Sequence, residues 1–323
     1  MIYAKKIQGV FQVILLVCLL TSTDKILTAQ TDGASEMTYF AGVSALLSED
    51  KELDISFPVY LFYPTTSEPK QLVLEGVNVR AANDAPVAEG THPLVVISHG
   101  TGGFNLGYRT IAEFLAENGF IVALPEHYKN NRNDNSLENT DENLITRPRH
   151  ISLSVDALLN DPKISGHIQP EHYALIGHSM GGYTALAVAG GTPWNFNRER
   201  LDVNSDSRVK ALVLLAPATE WYAPPSSLEK INTPILMLTA EHDAPLPAGW
   251  HQRTANIVFS QIDENLIKFR VVENSGHFSF LSPFPESRRS PDFLPSTDPD
   301  GFDREAFHIE LNQEILNFLS SKL

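Results

Sequence analysis

The stretch that most constrains the fold is residues 173–182, which reads YALIGHSMGG. A short apolar run of strand-forming residues stops at Gly177, Ser179 follows two positions later, and a segment of small residues comes next. This pattern predicts a strand, a sharp turn and a helix, with the serine at the apex of the turn. A G-x-S-x-G turn in this context is a nucleophile elbow, which lifts the serine hydroxyl clear of the end of the strand.

The two glycines on either side of Ser179 have a steric explanation. A serine that stands clear of a sheet needs a strained backbone, and Gly177 and Gly181 are then too close to their surroundings to carry a Cβ atom. The helix that begins at Met180 directs its first backbone N–H groups toward the place where an oxyanion would form. The stretch predicts nucleophilic chemistry at Ser179, and a spectator serine in an ordinary glycine-rich turn is the alternative.

Strands and helices alternate along most of the chain. Apolar runs that predict strands lie at 93–98, 120–124, 209–215, 235–239 and 266–272, and helical spacing appears at 108–118, 149–160 and 303–319. Two earlier strands are predicted at 38–47 and 55–64, and residues 77–90 are predicted to be a polar surface connection. The alternation predicts an α/β fold with a mostly parallel central sheet and helices on both faces.

The chain is predicted to divide into a leader, residues 1–29, and a single domain, residues 30–323. The domain carries two long irregular insertions, at about 128–148 and 282–302, which are predicted to border a pocket. A hydrophobic content of 42% is enough to build a sizeable core. The net charge of -15 argues against nucleic-acid binding, because a basic face is needed to neutralise phosphates.

The leader is predicted to be a signal peptide. Two lysines precede the apolar run 10–20, which is too short to span a bilayer and is followed by polar residues. Cleavage after Ala29, or near Ser22, would export the chain to the periplasm or the medium without stable membrane insertion of the mature part. The alternative is an uncleaved membrane anchor.

Cys18 is the single cysteine of the chain, and it lies inside this leader. Lipidation at Cys18 is a minor alternative, because the bulky Val17 stands where a lipoprotein box needs a small residue. A chain cleaved after the leader has no cysteine, which excludes disulfides, thiolate catalysis and cysteine metal sites. The stability of such an exported chain depends on its core.

Polar residues follow four of the predicted strands: Ser179, Asp243, His277 and the run 99–101. The carboxyl ends of parallel strands meet at one edge of a sheet, so these residues are expected to lie together. A serine hydroxyl needs a base within about 3 Å to act as a nucleophile. We expect His277 to take the serine proton and Asp243 to fix the tautomer of His277, and the order serine, acid, histidine is that of an α/β-hydrolase.

The oxyanion hole is predicted to consist of the backbone N–H groups of Thr101 and Met180. The glycines at 100, 102 and 103 keep the first loop free of side chains, so that a peptide N–H can approach a substrate oxygen. Loss of one such donor typically costs about 3 kcal/mol of transition-state stabilisation.

Other residues near these strand ends leave alternatives open. Glu241 is the alternative acid. Asp243 is favoured because Glu241 lies in the last turn of the strand, where its side chain would point away. His178 is predicted to border the pocket, where it packs or orients other groups and does not transfer protons. Trp221 and Tyr222 are predicted to form the wall of the acyl pocket, with plain packing as an equal alternative.

The spacing of the acidic residues and histidines predicts no metal site. The glutamate–histidine pairs at 126–127, 171–172 and 241–242 lack the spacing of a metal site. The aspartates around Gly301 hint at a calcium loop, but the downstream ligand spacing fails, and a surface turn is predicted instead.

These motifs resemble those of α/β-hydrolases of the dienelactone hydrolase-like group, on the branch that includes platelet-activating factor acetylhydrolase-like proteins. The matching stretches are 98–103, 147–149, 177–182, 241–243, 276–278 and 301–304, with Phe307 and His308. The likeness runs from about residue 38 to the end of the chain. Dienelactone hydrolases use a cysteine nucleophile where this chain has Ser179, and this departure favours carboxylic esters over dienelactones.

The resemblance implies a serine esterase that uses a small-molecule ester and needs no metal or organic cofactor. The predicted reaction is the hydrolysis of short- to medium-chain esters through an acyl-serine intermediate. A peptidase or amidase, or a lipase-like acyl hydrolase, could use the same triad. A catalytically silent binding protein with a hydrolase fold is the alternative from a different class.

Overall fold

Ten strands form one mixed sheet within residues 38–243 and 246–323, the part of the chain that the computed structural model describes. The strands are β1 (Phe40–Asp50), β2 (Ile55–Thr65), β3 (Lys70–Leu74), β4 (Val77–Asn83), β5 (His92–Ser98), β6 (Ile121–Pro125), β7 (Ile168–His178), β8 (Val209–Leu215), β9 (Ile235–Ala240) and β10 (Ile267–Val272). The helices are α1 (Arg109–Glu117), α2 (Asp141–Asn160), α3 (Met180–Val188), α4 (Trp250–Phe259) and α5 (Arg304–Leu319). The predicted signal peptide lies outside the described residues.

The order of the strands places β7 inside the parallel part of the sheet. The order is β10-β9-β8-β7-β5-β6-β2-β1-β4-β3. Every neighbouring pair from β10 to β6 is parallel, whereas β2 pairs antiparallel with both β6 and β1. Since β6 and β7 lie on opposite sides of β5, the winding of the sheet changes direction there. The crevice beyond the carboxyl ends of β5 and β7 is therefore the expected place for a ligand.

The core lies on both faces of the sheet. On one face, α2 and α3 pack against β5, where Leu94 and Val96 are buried, and α4 packs against β9. On the other face, α1 and α5 belong to the core cluster that contains the alternate residues Val95 and Ile97. A strand buried on both faces reads as an unbroken apolar run, which explains why the sequence pattern identified β5. The predicted α/β class is confirmed.

The prediction of a surface connection at residues 77–90 is wrong for its first half, which is strand β4. Val77, Val79 and Ala81 are buried, whereas the residues between them are exposed. The polar residues form the solvent-facing side of a strand that buries its other face. Because apolar residues occupy only alternate positions, the segment as a whole reads as polar. β4 pairs in parallel with β1, and β3 pairs antiparallel with β4 at the edge of the sheet.

The predicted irregular insertion 128–148 is wrong for its second half, because α2 begins there. The side chain of Thr140 caps the helix, and the helix continues through Pro148. Proline has no N–H, so the carbonyl of Leu144 loses its usual partner within the helix. The hydroxyl of Tyr183 donates to that carbonyl at 2.9 Å. A tertiary hydrogen bond thus replaces the missing bond of the helix.

The second insertion, residues 282–302, is irregular as predicted and contains only two short 3-10 turns. Arg304, the first residue of α5, holds this segment in place. Its guanidinium donates to the carbonyls of Pro295 and Thr297 and pairs with the carboxylate of Asp298 at 2.9 Å. Helix α4 was not predicted. In the described part of the chain, each helix is too short or too polar to cross a membrane.

Candidate active site

Ser179 occupies the turn between β7 and α3 in a strained backbone conformation. Its φ of 54° and ψ of -120° lie outside the regions that serine normally adopts. A Cβ atom on Gly177 would lie 2.1 Å from the carbonyl oxygen of Gly181, and one on Gly181 would lie 1.9 Å from the carbonyl oxygen of Ser98. Both positions exclude any larger residue, for the steric reason that the sequence predicts.

The elbow is attached to the end of the neighbouring strand β8. The N–H of Ser179 donates to the carbonyl of Leu215, and the N–H of Ala218 donates to the carbonyl of Ser179 at 2.9 Å. A Cβ atom on Gly182 would lie 2.4 Å from the Cβ atom of Pro217, so α3 packs directly on the loop after β8. These contacts support the strained turn from the side of β8.

Asp243 and His277 form a buried pair beyond the ends of β9 and β10. His277 Nδ1 lies 2.7 Å from Asp243 Oδ1, and the two residues are 6% and 2% exposed. Because an ionised carboxylate only accepts hydrogen bonds, Nδ1 carries the proton of the neutral imidazole. The other ring nitrogen, Nε2, is then the proton acceptor that a general base requires. His277 lines the same cavity as Ser179.

Glu241, the alternative acid, has a different partner. Its carboxylate accepts a hydrogen bond from the backbone N–H of Asn274 at 2.7 Å, and its side chain is exposed. Among the described residues, only the carboxylate of Asp243 lies within hydrogen-bond distance of the His277 ring. The structure therefore places Asp243 in the position that the acid of a triad would need.

The loop after β5, residues 99–103, passes directly over the elbow. We call it the oxyanion loop, because it contains Thr101, one of the two predicted oxyanion donors. The N–H of Gly103 donates to the carbonyl of Gly100, which closes a turn with Gly102 at a φ of +60°. A Cβ atom on Gly100 would lie 3.1 Å from the Cβ atom of Ser179. Thr101 lines the cavity at Ser179. Met180 directly follows Ser179 and is the first residue of α3. Both residues predicted to form the oxyanion hole thus border Ser179.

His178 lies beneath the site and uses both ring nitrogens. Its Nδ1 lies 2.8 Å from the hydroxyl of Tyr108, and its Nε2 lies 2.9 Å from the backbone carbonyl of His277. Burial, followed by the repulsion that a protonated His277 would exert, lowers the pKa of His178 to about 3. The imidazole is therefore neutral at ordinary pH. His178 lines the cavity, and its predicted role of orienting other groups stays a prediction.

Arg147 is a buried residue near the site whose role the sequence analysis missed. Its guanidinium donates to Asn130 Oδ1 at 2.5 Å, to Thr184 Oγ1 at 3.0 Å and to the carbonyl of His99. Burial lowers the pKa of Arg147 to about 9. The side chain connects the oxyanion loop to α3 from below. Residues 147–149 form one of the stretches that resemble the hydrolase family, but no local pattern shows which atoms Arg147 reaches.

A largely apolar cavity of about 460 Å³ opens at Ser179 and His277. The oxyanion loop forms one wall, and residues after β10 form the other. The hydrophobic lining residues are Phe104, Phe278, Leu281, Phe284 and Phe293. Two arginines, Arg132 and Arg288, also line it. The second irregular segment, residues 282–302, therefore borders the pocket as predicted.

Trp221 and Tyr222 do not line this cavity, contrary to the prediction that they form the acyl pocket. The Trp221 ring packs on the ring of Tyr183 with centroids 5.2 Å apart, and the Tyr222 hydroxyl donates to the carbonyl of Tyr183. After β8 the chain packs on α3, where Pro217 meets Gly182. The alternative of plain packing describes both residues.

The described residues contain no cluster of three or more histidine, cysteine, aspartate or glutamate side chains that could hold a metal ion. The aspartates near Gly301 have other contacts, since Asp298 pairs with Arg304 and Asp303 caps α5. The arrangement around Ser179 instead provides a hydroxyl, an imidazole held by a carboxylate, and neighbouring backbone N–H groups. Such a set of groups can carry out acyl transfer.

The sheet order and the elbow define the protein as one with an α/β-hydrolase fold. A protein-family model described as chlorophyllase matches residues 76–203, a range that includes the oxyanion loop and Ser179 but ends before Asp243. Among solved structures, a ferulic acid esterase from Streptomyces cinnamoneus is similar, with a TM-score of 0.68 and 19% sequence identity over 90% of this chain and 91% of that chain. No curated protein matches the sequence. The structural likeness confirms the predicted fold, and the dienelactone hydrolase-like branch stays a prediction.

Proposed function

We propose that this protein is a serine hydrolase that cleaves carboxylic esters through an acyl-Ser179 intermediate. The observation that carries the proposal is the buried Asp243–His277 pair, which faces the same cavity as a serine on a nucleophile elbow. The match to the chlorophyllase model and the likeness to a ferulic acid esterase support ester hydrolysis.

The first half-reaction transfers the acyl group to the enzyme. His277 Nε2 takes the hydroxyl proton as Ser179 Oγ attacks the ester carbon, and Asp243 stabilises the imidazolium that forms. The N–H groups of Thr101 and Met180 hold the oxyanion of the tetrahedral intermediate. When the intermediate collapses, the bond to the alcohol oxygen breaks and His277 returns its proton to that oxygen.

The second half-reaction releases the acid. A water molecule gives a proton to His277 as its oxygen attacks the acyl carbon of the acyl-Ser179 ester. The second tetrahedral intermediate uses the same oxyanion hole. It collapses with return of the proton to Ser179 Oγ, which leaves a carboxylic acid and the free enzyme.

The cavity supports a substrate with a short- to medium-chain acyl group. Its volume of about 460 Å³ lies in the range of small-molecule sites, and its phenylalanine and leucine side chains favour an apolar group. Arg304 fixes the outer wall through Pro295 and Thr297, which limits the length of chain that fits without movement of that wall.

The experiment that tests this function compares p-nitrophenyl esters of increasing acyl length with a peptide anilide. We expect ester turnover with an optimum at short to medium chains, and no turnover by Ser179→Ala of equal thermal stability. Labelling by a fluorophosphonate should require Ser179. Preferential cleavage of the anilide would favour a peptidase, and absence of both turnover and labelling would favour a binding protein.

We also propose that the chain is exported after removal of residues 1–29. The two lysines and the short apolar run that follows them support this proposal. N-terminal sequencing of the protein from its native host tests it. A mature N-terminus at residue 30 is expected, and an intact Met1 would contradict export by cleavage.

A further inference from the structure

A chain of hydrogen bonds links the oxyanion loop to the backbone of His277 through two buried side chains. The N–H of Gly100 lies 3.4 Å from the hydroxyl oxygen of Tyr108, and that oxygen lies 2.8 Å from His178 Nδ1. His178 Nε2 lies 2.9 Å from the carbonyl oxygen of His277. Tyr108 and His178 are 1% and 2% exposed, so water does not compete for these bonds.

The direction of every bond in this chain is determined by its last member. The carbonyl of His277 can only accept, so Nε2 of His178 carries the imidazole proton. Nδ1 of the same neutral ring is then an acceptor, and the Tyr108 hydroxyl must donate to it. The Tyr108 oxygen is left to accept from Gly100. One tautomer and one hydroxyl orientation therefore satisfy the whole chain.

Both side chains stay neutral over the range in which a histidine base works. Burial is the main cause in each case, since it lowers the pKa of His178 to about 3 and raises the pKa of Tyr108. The His178 ring lies 4.9 Å from the His277 ring, between centroids. A neutral His178 therefore avoids repulsion of the imidazolium that forms on His277 during the reaction.

We propose that Tyr108 and His178 are positioning residues that hold the oxyanion loop and His277 in register with Ser179. The inference rests on the proposed function and deepens it. The two ends of the chain belong to the two halves of the machinery, the N–H donors and the base, and His178 directly precedes the nucleophile. Small displacements of such groups lower catalytic rates strongly, because the donors and base must match the transition state.

A double-mutant cycle tests whether the two residues act as one unit. We expect Tyr108→Phe and His178→Leu each to lower kcat about 10- to 100-fold, with KM changed less than about threefold. The kcat of the double variant should be no more than about threefold below that of the less active single variant. His178→Gln, which retains a donor near the position of Nε2, should recover part of the loss seen in His178→Leu.

Tyr63→Phe is the matched control for the loss of a buried tyrosine hydroxyl. Tyr63 donates to the carbonyl of Ala85 at 2.9 Å and lies on β2. Loss of the Tyr63 hydroxyl should lower the melting temperature about as much as Tyr108→Phe does, and it should leave kcat unchanged. Multiplicative effects of Tyr108→Phe and His178→Leu, or losses of kcat that follow melting temperature across all variants, would overturn the proposal.

A second measurement does not depend on turnover. Nitrogen-15 NMR of the imidazoles should show His178 as the neutral Nε2–H tautomer from about pH 5 to 8, with its Nδ1 signal displaced in Tyr108→Phe. An Nδ1–H tautomer would overturn the inference even in an active esterase. If the expected tautomer is seen while no ester is cleaved, the proposed function fails and the hydrogen-bond chain remains.

Discussion

His277 Nδ1 lies 2.7 Å from Asp243 Oδ1, although 34 positions separate the two residues in the chain. The register of two parallel strands causes this proximity. Strand β9 pairs with β10 so that Ala240 lies opposite Val272, and each of the two residues follows its strand within five positions. A buried carboxylate at this place fixes the imidazole tautomer that a serine nucleophile requires.

Asp243→Asn should lower kcat by about 10³- to 10⁴-fold, because an amide can hold the wrong tautomer of His277. KM for a p-nitrophenyl ester should change little, and the fold should be retained. Glu241→Gln is the matched control, since Glu241 accepts from Asn274 and does not contact His277. Steady-state kinetics of both variants checks the prediction. A larger loss in Glu241→Gln than in Asp243→Asn would reassign the acid.

Phe293→Ala should shift the acyl preference toward longer chains. Phe293 lines the cavity and is 47% exposed, so its removal enlarges the site at little cost in stability. We expect the ratio of kcat/KM for octanoate over butyrate to rise about 5- to 10-fold. The control is Trp221→Ala, which should change this ratio less than about twofold because Trp221 packs on α3. A similar shift in both variants would contradict the cavity described here.

The free energy of unfolding should fall as the pH drops below about 6.5. Burial lowers the pKa of His99, His150 and His178 to about 3 in each case. Between about pH 3 and 6.5 each side chain is neutral in the folded protein but protonated in the unfolded chain. The full stability is therefore present above the pKa of the unfolded state, and it is lost as the pH falls toward the pKa of the folded state. At about pH 5 the loss is at most about 2 kcal/mol for each histidine.

His150→Phe isolates one of these contributions. The His150 ring packs on Phe57 with centroids 4.5 Å apart, and no described residue offers either of its nitrogens a hydrogen bond. Urea unfolding at pH 7.5 and at pH 5 measures how far the free energy of unfolding drops between these two values. This drop should be smaller in the variant than in the wild type by up to about 2 kcal/mol. An equal drop in both proteins would show that His150 does not titrate on unfolding.

Tyr183→Phe should destabilise the protein by about 1 to 2 kcal/mol, because it leaves the Leu144 carbonyl buried without its donor. The same substitution should cost less in Pro148→Ala, since residue 148 then carries an N–H that can bond to Leu144. Thermal or urea unfolding of the two single variants and the double variant measures the coupling. Equal costs in both backgrounds would mean that Tyr183 does not replace the helical hydrogen bond.

Local patterns predicted the parts of the fold whose causes are local. Residues 93–98 could be recognised as a strand because burial on both faces requires an unbroken apolar run. Strand β4 was missed because it buries only alternate residues. The start of α2 was missed because Pro148 predicts a break, and the hydroxyl that compensates comes from Tyr183 on a different helix.

The candidate site also has parts that the sequence predicts and parts that depend on tertiary contacts. The residue types and their order along the chain singled out Ser179, Asp243 and His277, since each follows a predicted strand of one sheet. The interpretation of Trp221 and Tyr222 as pocket walls depended on the path of the chain after β8, which is set by packing on α3. Tyr108 carried no signal in the sequence, because its partner His178 is 70 positions away.

The sequence by itself determined the strand, the turn and the helix around Ser179, because the apolar run, the small-residue segment and the clash that Gly177 avoids with Gly181 all lie within that stretch. The glycine at 181 also depends on the neighbouring strand β5, since a Cβ there would meet the carbonyl of Ser98. Only the tertiary structure decided which acid meets His277, which side chains form the cavity, and how Tyr108 and His178 join the two sides of the site. Those contacts depend on strand register and helix packing to within an ångström. No local run of residues specifies distances between segments that far apart.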